Sequence, residues 1–179
     1  EAGVPETALQ LLPGTGEEGG RALTTDPRIS GICFTGSTRV AQIIHRAAAE
    51  HLPPEAPLIA ETGGLNAMLV DSTSLPEQAV RDIVLSAFRS TGQRCSACRV
   101  LYVQADVADR MIAMLKGAMD ELSLGDPWQL NSDLGPVITA EARAKIAAHI
   151  EKASGEGRLL HQGAAPADSL FLAPALLEI

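Results

Sequence analysis

The stretch GICFTGST, at residues 31–38, decides the fold of this chain, because it passes from a strand pattern into a helix pattern. Its first four residues form an apolar run that ends at Thr35-Gly36, as a strand ends in a turn. Apolar residues then recur at helical spacing over residues 38–51, namely Val40, Ile43, Ile44, Ala47 and Ala48. A strand that leads directly into such a helix is the repeating unit of an α/β protein.

The same alternation extends in both directions from this stretch. Strand-like runs lie at residues 9–12, 58–60, 67–70, 99–104, 159–160 and 171–172, and helix-like runs at 76–88, 107–122 and 140–152. Residues 74–77 predict a capping box with Pro76 at the first helical position. The pattern predicts an α/β fold with a largely parallel sheet, and the glycine pair Gly63-Gly64 is the best candidate for a domain boundary.

Composition argues against several kinds of partner and compartment. The chain has 179 residues and a net charge of −8, whereas nucleic acids and anionic membranes attract basic surfaces. No apolar run approaches the roughly 20 residues that a membrane span needs. Three cysteines do not fit a secreted disulfide framework, so we expect a cytoplasmic protein. The chain does not begin with Met, and we expect it to be part of a longer protein.

A phosphate site is predicted where the first strand meets its helix. The small residues within 34–38 allow backbone N–H groups to approach an anion, and the helix dipole favours negative charge there. This suits the pyrophosphate of a dinucleotide, although Ala41 stands where a further glycine would be sought. The alternative is an ordinary Ser or Thr helix cap. A second glycine-rich turn, at residues 14–20, is interpreted as a loop before a short helix.

Glu61 is a candidate general base. It follows an apolar strand and precedes Thr62-Gly63-Gly64. A carboxylate at a strand end that is half withdrawn from water can have its pKa raised and accept a proton near neutral pH. The alternative is a surface carboxylate at the end of a strand.

Cys95 is a candidate nucleophile, since a thiolate is the reactive form and a neighbouring cation such as Arg94 favours it. The alternative is a buried, inert cysteine, which is also what we expect of Cys33 in its apolar strand. Cys95 and Cys98 form a Cys-x-x-Cys pair, which leaves open a thiol redox protein or half of a zinc site. The four histidines show no ligand spacing with this pair, so no metal is predicted.

Taken in order, these segments resemble the aldehyde dehydrogenase superfamily over nearly the whole chain. The matching segments are 34–38, 60–64, 92–96, 125–127 and 134–138. Within that superfamily, residues 60–64, 66–68, 92–97 and 125–128 are similar to the L-glutamate γ-semialdehyde (1-pyrroline-5-carboxylate) dehydrogenase domain of bifunctional proline utilization A. Leu65 and Cys98 depart from the pattern of that subgroup.

The resemblance implies a partial aldehyde dehydrogenase fold. Residues 1–64 would form the C-terminal part of a Rossmann-like NAD-binding domain, and residues 65–179 the N-terminal part of the α/β catalytic domain. The family's oxyanion-hole asparagine and several cofactor-binding and substrate-binding groups would lie outside this chain. We therefore expect the 179 residues alone to be inactive and the longer protein to be a homo-oligomer.

The resemblance also implies a mechanism and roles for individual residues. Cys95 would attack the aldehyde, hydride would pass to NAD, and Glu61 would activate the water that hydrolyses the resulting thioester to glutamate. The Cys95 N–H would help to bind the oxyanion, and Ser96 would contact the substrate carboxylate. Gly36 and Ser37 would lie near the pyrophosphate, and the Thr62 carbonyl near the nicotinamide amide. The remaining alternatives are a redox protein using Cys95 and Cys98, and a non-catalytic scaffold of the same fold.

Overall fold

Strands and helices alternate along the chain in the computed structural model, which describes residues 3–167 and 169–179. The chain divides into two units, one ending at Gly63 and the other running from Gly64 to Ile179. The predicted α/β class is confirmed. The assignment of residues 1–64 and 65–179 to a cofactor domain and a catalytic domain stays a prediction.

The first unit is built on one parallel strand pair. Strand β1 (Ile32–Gly36) pairs with β2 (Leu58–Thr62), and helix α2 (Thr38–His51) connects them. The register places Thr35 beside Glu61 and Gly36 beside Thr62. Because the pair is parallel, the carboxyl ends of both strands meet at one edge, where the polar residues of the sequence motifs are gathered.

The residues before β1 form short turns. A 3₁₀ turn (Glu6–Ala8) and a single π-helical turn (Gly16–Gly20) precede the four-residue helix α1 (Arg21–Thr24). The short helix expected after the glycine-rich turn is therefore present. The strand expected at residues 9–12 is wrong. Its leucines contact too little to be part of a core, and the side chain of Leu11 is 92% exposed.

The second unit contains a second parallel pair, β3 (Asn66–Val70) with β4 (Cys98–Val103). Helix α3 (Pro76–Phe88) and a 3₁₀ turn (Arg89–Gly92) connect the two strands, and α4 (Ala105–Asp120) follows β4. The core of this unit lies between the strands and the two helices, with Val70, Val80, Ile83, Met111 and Leu115 buried together. The unbroken apolar run at residues 67–70 predicts a buried strand, but this prediction is wrong for one face of β3, since Leu69 is 78% exposed.

The start of α3 differs from the capping box expected at residues 74–77. Pro76 is the first helical residue, as predicted, but Leu75 occupies the N-cap position and forms no side-chain cap. The Ser74 hydroxyl instead donates to the backbone oxygen of Asp71 at 2.8 Å. A tight turn at residues 71–74 therefore uses the hydroxyl that the sequence assigned to the helix.

The last segment comprises helix α5 (Ala140–Gly155) and the antiparallel pair β5 (Leu159–Gln162) and β6 (Ala175–Leu177). The strand expected at residues 171–172 is wrong. The Leu170 carbonyl accepts from the Val137 N–H at 3.0 Å, and the Phe171 carbonyl accepts from the Arg143 side chain at 3.3 Å. These partners take the backbone groups that a ladder would use. The helical spacing of Ile146 and Ile150 predicts that both face inward on α5; Ile150 is buried, but Ile146 is 41% exposed.

In the part of the chain that the structure describes, every helix is too short or too polar to cross a membrane.

Candidate active site

Cys95 lies in a tight turn in front of β4. The Ala97 N–H donates to the Arg94 carbonyl at 3.2 Å, which places Cys95 and Ser96 at the two central positions of the turn. Both central residues are exposed, while Ala97 and Cys98 directly after them are buried. The turn therefore presents the Cys95 thiol outward from a fixed base.

Three consecutive residues with positive φ lead into this turn. Ser90, Thr91 and Gly92 have φ values of 57°, 56° and 64°. Such angles cost little for glycine but about 1 kcal/mol or more for residues with a Cβ atom. Gly92 is required for a second reason, because a Cβ atom there would lie 2.8 Å from the Ala87 carbonyl oxygen. Backbone in this region persists only where the surrounding contacts fix it.

Those contacts come from the segment at residues 135–138 and from β4. The Thr91 hydroxyl donates to the Gly135 carbonyl at 2.9 Å. The Gln93 side chain donates to the Pro136 carbonyl at 3.3 Å and accepts from the Ile138 N–H at 2.7 Å. The Arg99 guanidinium donates back to the Gly92 carbonyl. Thr91 and Gly92 are therefore bound directly to other segments, and Gln93, the next residue, is bound in the same way.

Asn66 also binds the turn, through its side-chain amide. Its Nδ2 donates to the backbone oxygen of Cys95 at 2.7 Å and to that of Ala97 at 3.0 Å. Asn66 is the first residue of β3 and pairs with Cys98, whereas Ala67 pairs with Val100. The intervening Arg99 is therefore an extra residue on β4, a bulge that directs its side chain to Gly92.

The two cysteines of the Cys-x-x-Cys pair differ in surroundings. Cys95 is exposed, whereas Cys98 is buried with 8% of its surface accessible, and its Sγ lies 3.5 Å from the Val100 carbonyl as a donor. Burial raises the pKa of the Cys98 thiol above its ordinary value. A buried thiol with a raised pKa makes a poor redox partner, which counts against the thiol redox alternative.

Cys33 is exposed, so the expectation of a buried cysteine there is wrong. It lies on β1, whose side chains alternate between half-buried and exposed, and Cys33 falls on the exposed side. Within residues 3–167 and 169–179, no three His, Cys, Asp or Glu side chains are grouped closely enough to bind a metal ion.

Glu61 and the residues predicted to bind the cofactor lie together in the first unit. Glu61 is exposed at the carboxyl end of β2 rather than half withdrawn from water, and Thr62, beside Gly36, is half-buried. Ser37 follows Gly36 at the start of α2. Four of the predicted residues therefore share one sheet edge, the place where parallel α/β sheets bind ligands.

The start of α2 supports both interpretations of the sequence motif. Ser37 is the N-cap, and its hydroxyl accepts from the Val40 N–H at 3.2 Å. The N–H groups of Thr38 and Arg39 at the exposed first turn have no acceptor within the helix. Gly36 carries no Cβ, and one added there would collide with the Phe34 ring. An ordinary helix cap and a binding surface for an anion are thus compatible here.

Sequence reasoning missed the side chains that hold the nucleophile. The sequence alone does not single out four of these side chains, namely Asn66, Thr91, Gln93 and Arg99. A signal existed for two of them, because Asn66 begins an otherwise apolar strand and Gln93 lies two residues before the candidate nucleophile. The partners of Thr91 and Gln93, at residues 135–138, lie more than forty positions away, and nothing in the sequence indicates that pairing.

Comparisons with known proteins agree on one family. The model of the aldehyde dehydrogenase family matches residues 1–179. The bifunctional protein PutA of Klebsiella aerogenes is 54% identical over 90% of this chain, and the 1-pyrroline-5-carboxylate dehydrogenase of Geobacillus kaustophilus is 38% identical over 98% of it. The chain spans 13% and 35% of the lengths of these two relatives.

Solved structures show the same likeness in three dimensions. A mutant of Bradyrhizobium japonicum proline utilization A (PutA) superposes with a TM-score of 0.92 at 52% identity, and it covers 98% of this chain. A PutA from Bdellovibrio bacteriovorus gives a TM-score of 0.91 at 31% identity. The chain spans 18% and 19% of these two structures.

Proposed function

Because this chain belongs to the aldehyde dehydrogenase family, we propose that it carries the nucleophile and the general base of an enzyme that oxidises L-glutamate γ-semialdehyde to glutamate with NAD. The relatives named as PutA and 1-pyrroline-5-carboxylate dehydrogenase support this substrate. The observation that carries the proposal is the exposed Cys95 thiol, placed at the centre of a turn whose backbone is hydrogen-bonded on both sides.

Cys95 is the nucleophile in this mechanism. Its sulfur, after loss of the thiol proton, adds to the aldehyde carbon and forms a thiohemiacetal oxyanion. The Cys95 N–H, at a central position of the turn, is the backbone donor available to that oxyanion. Loss of hydride from the same carbon then converts the adduct to a thioester on Cys95.

NAD is the hydride acceptor when bound, and the residues at the sheet edge of the first unit fit it. The exposed first turn of α2 offers backbone N–H groups to the pyrophosphate beside Gly36 and Ser37. The Thr62 carbonyl is assigned to the carboxamide of the nicotinamide.

Glu61 is the general base for the second half of the reaction. Its carboxylate removes a proton from water, the resulting hydroxide attacks the thioester carbonyl, and the Cys95 thiolate leaves. The products are glutamate and free enzyme. Ser96, the exposed neighbour of Cys95, is assigned to the substrate carboxylate because its hydroxyl is a donor close to the reacting sulfur.

The test follows NADH formation in the full-length protein that carries this sequence, with glutamate semialdehyde and a panel of simple aldehydes. Selective turnover that Cys95→Ala abolishes would support the proposal. Glu61→Gln should release about one NADH per active site and then stall at the thioester. Absence of turnover in the unmodified protein, or turnover that persists in Cys95→Ala, would overturn it.

A further inference from the structure

We propose that Asn66 is a positioning residue for Cys95, and that it fixes the direction of the nucleophile by binding the backbone on the carboxyl side of Cys95. The inference rests on the proposed function of Cys95. Asn66 belongs to β3, and its side chain binds backbone oxygens of the turn.

The two hydrogen bonds of Asn66 use its full donor capacity. A side-chain amide has two N–H groups, and those of Asn66 donate to the oxygens of Cys95 at 2.7 Å and Ala97 at 3.0 Å. The opposite orientation of the amide would set its oxygen against two carbonyl oxygens. The contacts therefore require an amide nitrogen at this point, and a carboxylate of the same shape would be repelled.

Both peptide planes that flank the Cys95 Cα are tied as a result. The plane before it contains the Arg94 carbonyl, which accepts from the Ala97 N–H at 3.2 Å. The plane after it contains the Cys95 carbonyl, which accepts from Asn66. Because each peptide unit is rigid, fixing the two planes fixes φ and ψ of Cys95 between them. The directions of the Cys95 side chain and N–H follow from those two angles.

The second hydrogen bond of Asn66 restrains the last residue of the same turn. By binding the Ala97 carbonyl as well, Asn66 holds both ends of the segment from Cys95 to Ala97 against the start of β3. After loss of this side chain, the internal bond from the Ala97 N–H to the Arg94 carbonyl remains, but that bond does not restrain the plane between Cys95 and Ser96. The nucleophile would then sample several orientations.

The same sheet supplies a matched control at its other end. Gln104 follows β4, and its side-chain oxygen accepts from the Ser72 N–H at 2.9 Å. This amide therefore joins the residue after β4 to the loop after β3. Replacing Gln104 removes a comparable bond from the same sheet without touching the turn of Cys95. An effect on sheet stability alone would appear in both variants.

The experiment compares Asn66→Ala, Asn66→Asp and Gln104→Ala in the full-length protein. Both Asn66 variants should lower kcat for glutamate semialdehyde about 100-fold, as expected for a misplaced reacting group, and leave the KM for NAD within about threefold. Exchange of the Ala97 amide hydrogen should be about tenfold faster in both, since the turn loses its external bond. Gln104→Ala should change neither quantity.

The proposal is overturned if kcat of both Asn66 variants stays within about twofold of the unmodified protein, if Gln104→Ala causes an equal loss of kcat, or if exchange at Ala97 is unchanged. An inactive unmodified protein would instead contradict the function proposed for Cys95. The exchange measurement needs no aldehyde turnover, so it decides whether Asn66 holds the turn in that case as well.

Discussion

The side-chain oxygen of Gln93 accepts a hydrogen bond from the backbone N–H of Ile138 at 2.7 Å. The nitrogen of the same amide donates to the Pro136 carbonyl at 3.3 Å. One side chain thus satisfies a donor and an acceptor of a segment far along the chain, in the way that a neighbouring strand would.

Replacing Gln93 should therefore loosen the segment at residues 136–138. Gln93→Leu keeps the approximate size but removes the partner of the exposed Ile138 N–H, and we expect a loss of about 0.5–1.5 kcal/mol in the free energy of unfolding. Chemical denaturation measures this loss. Gln78→Leu, on the exposed face of α3, is the control and should change stability by less than about 0.5 kcal/mol. Equal effects of the two substitutions would contradict the assigned role.

Thiol labelling should separate the three cysteines. Cys33 and Cys95 are exposed and should react with iodoacetamide at neutral pH, whereas Cys98 is buried and its pKa is raised by burial. Cys98 should therefore be modified only after unfolding. Peptide mass mapping before and after addition of urea measures this order. Labelling of Cys98 in the folded protein at a rate equal to that of Cys95 would refute it.

Gly92 should tolerate no side chain. Gly92→Ala places a Cβ 2.8 Å from the Ala87 carbonyl oxygen on backbone with φ of 64°, so we expect a loss of about 1–3 kcal/mol in stability. Gly117 is the matched control, because it lies inside α4 with nothing within 4 Å of an added Cβ. Gly117→Ala should raise stability by about 0.5–1 kcal/mol. Thermal unfolding of the two variants measures whether each substitution lowers or raises the stability.

Acid should weaken the loop at residues 123–134 through Asp133. Its carboxylate accepts from the N–H of Ser123 at 2.9 Å and from the hydroxyl at 2.8 Å, and these bonds lower the pKa of Asp133. A depressed pKa in the folded state stabilises the protein above the pKa of the unfolded chain. That contribution is lost as the pH falls through the folded-state value.

The variant Asp133→Asn should consequently show a shallower loss of stability below pH 4 than the unmodified protein. Urea unfolding at a series of pH values measures the slope. Asp109→Asn, on the exposed face of α4, serves as the control for removing one negative charge. If the slope for Asp133→Asn equals that of the unmodified protein, the hydrogen bonds of Asp133 do not contribute as stated.

Much of the fold follows from local pattern. The helix at residues 38–51 and the strands that flank it were predictable because apolar spacing there reports burial directly. Pro76 at the start of α3 was predictable for a similar reason, since proline fits the first helical position. The strand expected at residues 171–172 failed because the carbonyls of Leu170 and Phe171 are taken by Val137 and Arg143, which are distant in sequence.

In the candidate site, too, some features follow from local sequence and others depend on distant contacts. Cys95, Glu61 and the small residues at the end of β1 could be chosen from the sequence because their chemistry and their neighbours are local features, whereas Ser96 and Thr62 were assigned only through the family resemblance. Exposure could not be predicted in the same way, as Cys33 and Glu61 demonstrate. The contacts made by Asn66 and Gln93 depend on how separate segments pack, and side-chain amides form such bonds with any backbone that comes within reach.

Because of the bulge at Arg99, the pairing of β3 with β4 fixes the number of residues between Cys95 and Val100. Removing that one residue would let β3 and β4 pair without interruption and would shorten the chain between Cys95 and Val100 by one residue. Gly92 would lose the guanidinium that binds it. Residues 90–99 should therefore accept conservative replacements far more readily than insertions or deletions, even though most of them lie at the surface.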